Sequence, residues 1–260
     1  MLLFAAAVLG VTLGSFTNVL IVRVPEGREF IRTPSACTSC GKPIRWYDNI
    51  PVISYAILRG KCRDCGARIS PRYPLVELLV GVLFVAIAAV FGISWTSVVL
   101  AYVAVISVAL VAIDLEHRRL PHALVMPSYA VVTVGVVVGV LVFHEGSIGR
   151  AAAGFAILGL FYGLLWFIYP SGMGFGDVTT AGLLGIVLGY VSWAALAVGA
   201  IAGPLVAGVV ILVALIAGKV QRKARIPYGP FLIAGAWLGI LLGTPIAQGY
   251  LSLVGISGST

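Results

Sequence analysis

Charge is what this sequence has least of. Asp, Glu, Lys and Arg make up only 10% of its 260 residues, while 60% are hydrophobic. Mean hydropathy is +1.10. A soluble domain of this length needs far more polar surface, so a water-soluble globular fold is excluded. Long polar stretches are equally scarce, and only residues 23–73 form one. The N-terminal run lacks both the positive n-region and the small-x-small cleavage site of a secretory signal. It is therefore expected to be retained as a first span. Cysteine is limited to four residues, all within 23–73.

What is abundant is apolar sequence in runs of about 20 residues, each long enough to cross a hydrocarbon core of about 30 Å. Spans are expected near 1–22, 74–92, 95–113, 122–143, 151–169, 178–191, 194–217 and 228–253, the sixth being short. The net charge of +8 is explained by placement rather than by a nucleic-acid partner. Of 17 Lys and Arg residues, ten lie in 23–73, two in 114–121 and four in 218–227, and Arg150 alone falls in the alternate set of connections. The positive-inside rule then makes the first set cytoplasmic and both termini external. The fold class expected is an all-α polytopic membrane protein of about eight transmembrane helices, with a small cytoplasmic zinc-ribbon-like module between helices 1 and 2. Its expected parts are a first helix at 1–22, a four-cysteine module at 23–73 and a seven-helix transmembrane core at 74–260.

The cysteines are arranged as Cys37-Thr38-Ser39-Cys40 and Cys62-Arg63-Asp64-Cys65, two CxxC pairs separated by 21 residues. Cytoplasmic thiols stay reduced, and duplicated pairs with no βαβ pattern match a tetrahedral thiolate site for Zn²⁺ rather than a redox centre. Gly41 and Gly66 follow the second cysteine of each pair, as suits tight turns whose amides approach the sulfurs. Closure by four sulfurs makes the metal structural: it staples a loop too small for its own core.

Two acidic residues stand at the ends of apolar runs, Asp114 in Ile113-Asp114-Leu115 and Asp177 in Gly174-Phe175-Gly176-Asp177. A carboxylate at membrane depth costs about 2.5–3.5 kcal/mol at a helix centre and is usually functional. Although 63 residues apart, the two fall at the same cytoplasmic end of the expected bundle. The structural alternatives are an ion pair of Asp114 with Arg118 or Arg119, and a helix N-cap role for Asp177. Gly172, Gly174 and Gly176 allow non-helical backbone where a substrate strand could lie, since hydrolysis needs an extended peptide. Two close carboxylates share a proton. One, ionised, activates water, and the other donates to the scissile carbonyl. An intramembrane aspartic peptidase is the reading these residues favour.

At this point the chain resembles the type IV prepilin peptidases, the GxGD class of aspartic leader peptidases. The ordered motifs run from Gly14-Ser15-Phe16-Thr17-Asn18-Val19 with Arg23 and Pro25, through Trp46-Tyr47-Asp48-Asn49-Ile50-Pro51 and Arg59-Gly60-Lys61-Cys62, to Tyr73-Pro74 and Glu77. They continue with Ile113-Asp114 and Leu120-Pro121, then Gly174-Phe175-Gly176-Asp177, then Ile226-Pro227 with Gly229-Pro230-Phe231. The resemblance implies cleavage of the basic leader of prepilins and pseudopilins at the cytoplasmic face of the bacterial inner membrane, with Asp114 and Asp177 catalytic. It also implies N-methylation of the new N-terminus with S-adenosylmethionine. Implied partners are prepilin or pseudopilin substrates and membrane lipid, and no nucleic acid. Gly174 and Gly176 are candidate substrate-loop residues. Glu77 is a candidate contact for the basic leader or the methylation site, or else a capping carboxylate at the start of span two. Asn18 is suited to bond across helices and Arg23 to anchor the topology.

The chain departs from the family pattern in two places. Thr179 stands where the family commonly carries lysine, which removes a positive charge two residues from Asp177, and His122 stands where Asp or Asn is frequent. Two other functions remain open: a transporter using paired carboxylates, and a catalytically impaired scaffold for pilus assembly. The carboxylates lie at one end of the bundle without an internal repeat, which argues against transport. The missing lysine is the one feature favouring a scaffold.

Overall fold

The computed structural model describes residues 1–29, 35–170, 172–218 and 227–254, all helical or irregular, with two isolated β-bridges. Ile226 of the C-terminal motif and the four basic residues between 219 and 225 lie outside the described residues. The helices are α1 (Leu2–Arg23), α2 (Ile53–Ile57), α3 (Arg72–Phe91), α4 (Trp95–His117), α5 (His122–Leu141), α6 (Ile148–Ile168), α7 (Phe175–Val191), α8 (Trp193–Ile216) and α9 (Gly229–Leu253). A 3₁₀ turn at Trp46–Asn49 precedes α2. Among the described residues, seven helices are long and apolar enough to cross a membrane. The eighth apolar helix, α7, has 17 residues. At 1.5 Å per residue it is about 25 Å long, a little under the hydrocarbon thickness. All eight coincide with the expected spans to within a few residues, so apolar run length was a sufficient guide to them.

The chain divides into two compact units, Met1–Ala112 and Ile113–Thr260, with the division inside α4. In the first unit α1 packs on α3 through small residues. A Cβ on Gly14 would lie 2.6 Å from Glu77 Cα, and one on Gly10 would lie 2.8 Å from Gly81 Cα, so only glycine permits this approach. Buried Asn18 donates from Nδ2 to the Tyr73 carbonyl at 3.0 Å, the cross-helix bond its position suggested.

In the second unit α7 is the central helix, touched by α5, α6, α8 and α9. Gly154 on α6 and Gly185 on α7 meet backbone to backbone, as do Arg150 and Gly189, leaving no room for side chains. The only basic residue of the alternate connections has a local task. Arg150 donates to the carbonyls of Gly189 and Tyr190, both at 3.2 Å, and so satisfies the last turn of α7. The seam on one side and the capped end on the other fix the axial position of α7, and with it the height of its first turn.

Candidate active site

Helix ends build the site in the second unit. Helix α4 does not stop at Asp114 but continues to His117, so Asp114 sits one turn inside the helix and is 5% exposed. The chain then breaks: Arg118 takes φ +51 and Pro121 caps α5 in extended backbone. Asp114 Oδ2 accepts a hydrogen bond from the Gly229 amide, at 3.1 Å, across 115 positions of sequence. That amide opens α9, whose N-terminal partial charge favours an anion. The ion pair with Arg118 or Arg119 is not formed: among the described residues, the partner of Asp114 is this backbone N–H.

Asp177 is not the N-cap of α7. Gly174 takes that place, in extended backbone (φ −75°, ψ 145°), and Asp177 is the third helical residue. Its Oδ2 accepts the Gly174 amide at 3.2 Å, folding back over the first turn. The helix therefore starts before Asp177, three residues earlier than apolar content alone implied, because the glycine and the folded-back carboxylate supply the missing cap.

The two carboxylates interact electrostatically, and Leu120 is the wedge between their supports. A Cβ on Gly176 would lie 3.0 Å from Leu120 Cβ. A Cβ on Gly229 would lie 2.7 Å from Asp114 Oδ2 and 3.2 Å from Leu120 Cδ2. Asp114, Leu120, Gly176, Asp177 and Gly229 are thus gathered in one place. Phe175 lies beside the rings of His122, at 6.2 Å, and Trp166, at 5.3 Å, which places exposed His122 at the edge of the site. Thr179, in the lysine position, donates to the Gly176 carbonyl at 3.0 Å, so its hydroxyl stays within the first turn.

Sequence reasoning assigned no role to several groups found here. The Gly229 amide lies in Gly229-Pro230-Phe231, whose side chains carry no acid–base or ligand chemistry. Tyr162 and Tyr228 share a hydrogen bond of 2.9 Å between their hydroxyls, Tyr162 being 1% exposed, and both phenols interact electrostatically with Asp177. A lone tyrosine in an apolar helix carries no signal of such pairing.

The remaining candidates lie in the first unit. Glu77 is in the second turn of α3 rather than at its cap, is 7% exposed, and accepts the Val52 amide at 2.8 Å. The four cysteine sulfurs lie within 4.8 Å of one another. Cys37 and Cys65 are 3.9 Å apart, near the spacing of about 3.8 Å that tetrahedral Zn–S bonds of about 2.3 Å require. Two matching turns present them. The amides of Cys37 and Cys62 pair with the carbonyls of Lys42 and Ala67, and Gly41 and Gly66 take φ +71 and +70. The amides of Cys40 and Ser39 pull the Cys37 thiol down to about 6, so it is largely thiolate at neutral pH. Asp48 grips Arg63 through two of its nitrogens, and Asp64 faces Lys42 and Arg45, which ties the two halves of the module together.

These features define a class first: a multi-pass helical membrane protein with a buried and a half-buried carboxylate at helix ends and a cluster of four sulfurs that could hold a metal ion. Residues 8–91 match the family described as the bacterial peptidase A24 N-terminal domain, and residues 101–221 match the type IV leader peptidase family. The chain belongs to the type IV leader peptidase family, and is thereby a multi-pass protein of the bacterial inner membrane. It is similar to the prepilin leader peptidase/N-methyltransferase of Stutzerimonas stutzeri, at 33% identity over 95% of this chain and 92% of the relative. The protein of the same description from Neisseria gonorrhoeae is 33% identical over 90% and 88%, and that of Pseudomonas aeruginosa 30% over 95% and 92%. No solved structure matches the chain.

Proposed function

We propose that this protein removes the leader peptide of prepilins or pseudopilins by aspartic catalysis with Asp114 and Asp177, and N-methylates the product. The observation that carries the peptidase half is the state of the two carboxylates. Each has one oxygen held by a backbone amide, from Gly229 or from Gly174, and among the described residues neither is paired to a cation. The second oxygen of each is left for chemistry. One carboxylate takes a proton from water as it attacks the scissile carbonyl. The other donates to the carbonyl oxygen and then to the leaving amine. Fixed amides hold both groups in place, so the site needs little reorganisation during reaction. Gly174 leaves the space beside Asp177 Oδ2 free of a side chain, which suits an extended substrate strand, and Gly176 lets that loop pack closely on Leu120. Membership of the leader peptidase family argues against the transporter and scaffold readings.

Supporting groups follow the same reading. The four thiolates of Cys37, Cys40, Cys62 and Cys65 bind a structural Zn²⁺. S-adenosylmethionine supplies the methyl group. The charge partition supports a cytoplasmic position for the ends that bear Asp114 and Asp177, the side on which a prepilin's basic leader lies. Residues 23–73 form the cytoplasmic module, and 74–260 the helices of the peptidase core.

The test is the intact mass of a prepilin co-expressed with this protein or with its Asp177→Asn variant. Loss of the leader mass with the parent alone is expected, accompanied by a gain of one methyl group. An unchanged substrate with both forms, or cleavage by both, overturns the assignment.

A further inference from the structure

The first unit contains a cavity of about 960 Å³ between the ends of α1 and α3 and the cysteine module. This is the upper size range of small-molecule and cofactor sites, roughly 300–1,000 Å³. Two buried groups in its wall lack the partners their chemistry requires. Asn18, 3% exposed, spends its Nδ2 on the carbonyls of Tyr73 and Gly14, while its Oδ1 has no hydrogen-bond donor among the described residues. A buried amide oxygen left in that state costs about 1–3 kcal/mol. Glu77 receives the Val52 amide, and the Ser15 side chain lies beside the same carboxylate. No ion pair reaches Glu77 among the described residues, whereas Asp48 and Asp64 in the same wall are matched to arginine or lysine. Val52 adopts φ +61 to deliver its N–H, a costly conformation for a β-branched residue.

An orphaned acceptor and a buried carboxylate without a cation call for a small ligand carrying an ammonium group. We infer that this cavity binds S-adenosylmethionine, with Glu77 and Asn18 holding the ammonium of its amino-acid end. The inference rests on the methyltransferase half of the proposed function. The wall also offers Arg68 for the donor's carboxylate and the rings of Tyr55 and Tyr73 for its adenine. Charge accounting decides which cation Glu77 serves. Methylation moves a methyl group from a sulfonium sulfur to an amine lone pair, leaving a neutral thioether and releasing one amine proton. A carboxylate against the sulfur would stabilise the charge that the transfer discharges, and so would oppose the reaction. The ammonium keeps its charge throughout, so a carboxylate there binds without that penalty.

The experiment is equilibrium binding to the full-length protein in detergent, comparing the parent with Glu77→Gln and Asn18→Leu. The probes are S-adenosylmethionine, S-adenosylhomocysteine and 5′-methylthioadenosine. If Glu77 holds the ammonium, Glu77→Gln weakens the first two by about tenfold or more and leaves the third, which has no amino-acid end, unchanged. Asn18→Leu gives the same pattern, and metal content and melting temperature report that each variant is folded. Equal weakening of all three probes, or none, overturns the inference. So does a raised KM for leader cleavage with donor affinity intact, which would place the basic leader in the cavity. A parent that neither binds the donor nor methylates overturns the methyltransferase reading itself. A parent that methylates while Glu77→Gln binds the donor normally overturns only the site.

Discussion

The two compact units hold their polar groups by opposite means. In the first, a loop without a core of its own carries four clustered sulfurs, ion pairs around Asp48 and Asp64, and backbone in unusual conformations at Val52, Arg59, Gly41 and Gly66. In the second, two carboxylates are set by the ends of long packed helices, each through a single amide. A short loop reaches order through cross-links, and its geometry depends on the ligands that join it. Helices in a bundle are already rigid, so a site at their ends is tuned by what is left out, chiefly the Cβ atoms of Gly176 and Gly229.

This contrast is broken most severely at the carboxylates. Asp114→Asn and Asp177→Asn should each lower leader cleavage by about 10²–10⁴-fold, the range of acid–base catalysis, while metal content stays at the parent level. Cleavage kinetics on a purified prepilin, alongside elemental analysis of the variant, make the check. A parallel loss of metal would show that the two regions are not independent.

Gly229→Ala comes next. The added methyl would lie 2.7 Å from Asp114 Oδ2, so the carboxylate must move. A displacement of that order costs about 10²-fold in rate, and it should appear in kcat with little change in KM. An alanine variant with parental kcat would mean that the placement of Asp114 is looser than its hydrogen bond suggests.

The sulfur module should respond to pH instead. The Cys37 thiol is held down to about 6, so its thiolate is present above that value and is lost as pH falls through it. Protons then compete with the metal. Bound zinc should be released on acidification, and Cys62→Ser should lower zinc content at neutral pH. Zinc content in Cys62→Ser equal to that of the parent would contradict the four-thiolate site.

The smallest effect is expected at Tyr162→Phe. Its hydroxyl bond to Tyr228 is worth about 1 kcal/mol, and its loss should lower the melting temperature slightly and reduce cleavage only a few-fold. A loss as large as that of Asp177→Asn would promote the tyrosine pair from support to chemistry.

The sequence by itself determined the spans, the cysteine cluster and the identity of the two aspartates. Those features are local: apolar run length is counted along the chain, CxxC spacing sets which sulfurs one turn can present, and a carboxylate in an apolar segment is conspicuous wherever the segment goes. Only the tertiary structure decided that Asp114 accepts its hydrogen bond from Gly229, that Asp177 closes back on Gly174 from the third helical position rather than standing as the N-cap residue, that Tyr162 pairs with Tyr228, and that Asn18, in the wall of a cavity, keeps an oxygen without a donor among the described residues. The Asp114–Gly229 bond spans 115 positions. A hydrogen bond acts over about 3 Å, and which distant groups come that close depends on how helices pack, which in turn depends on side chains that glycine omits.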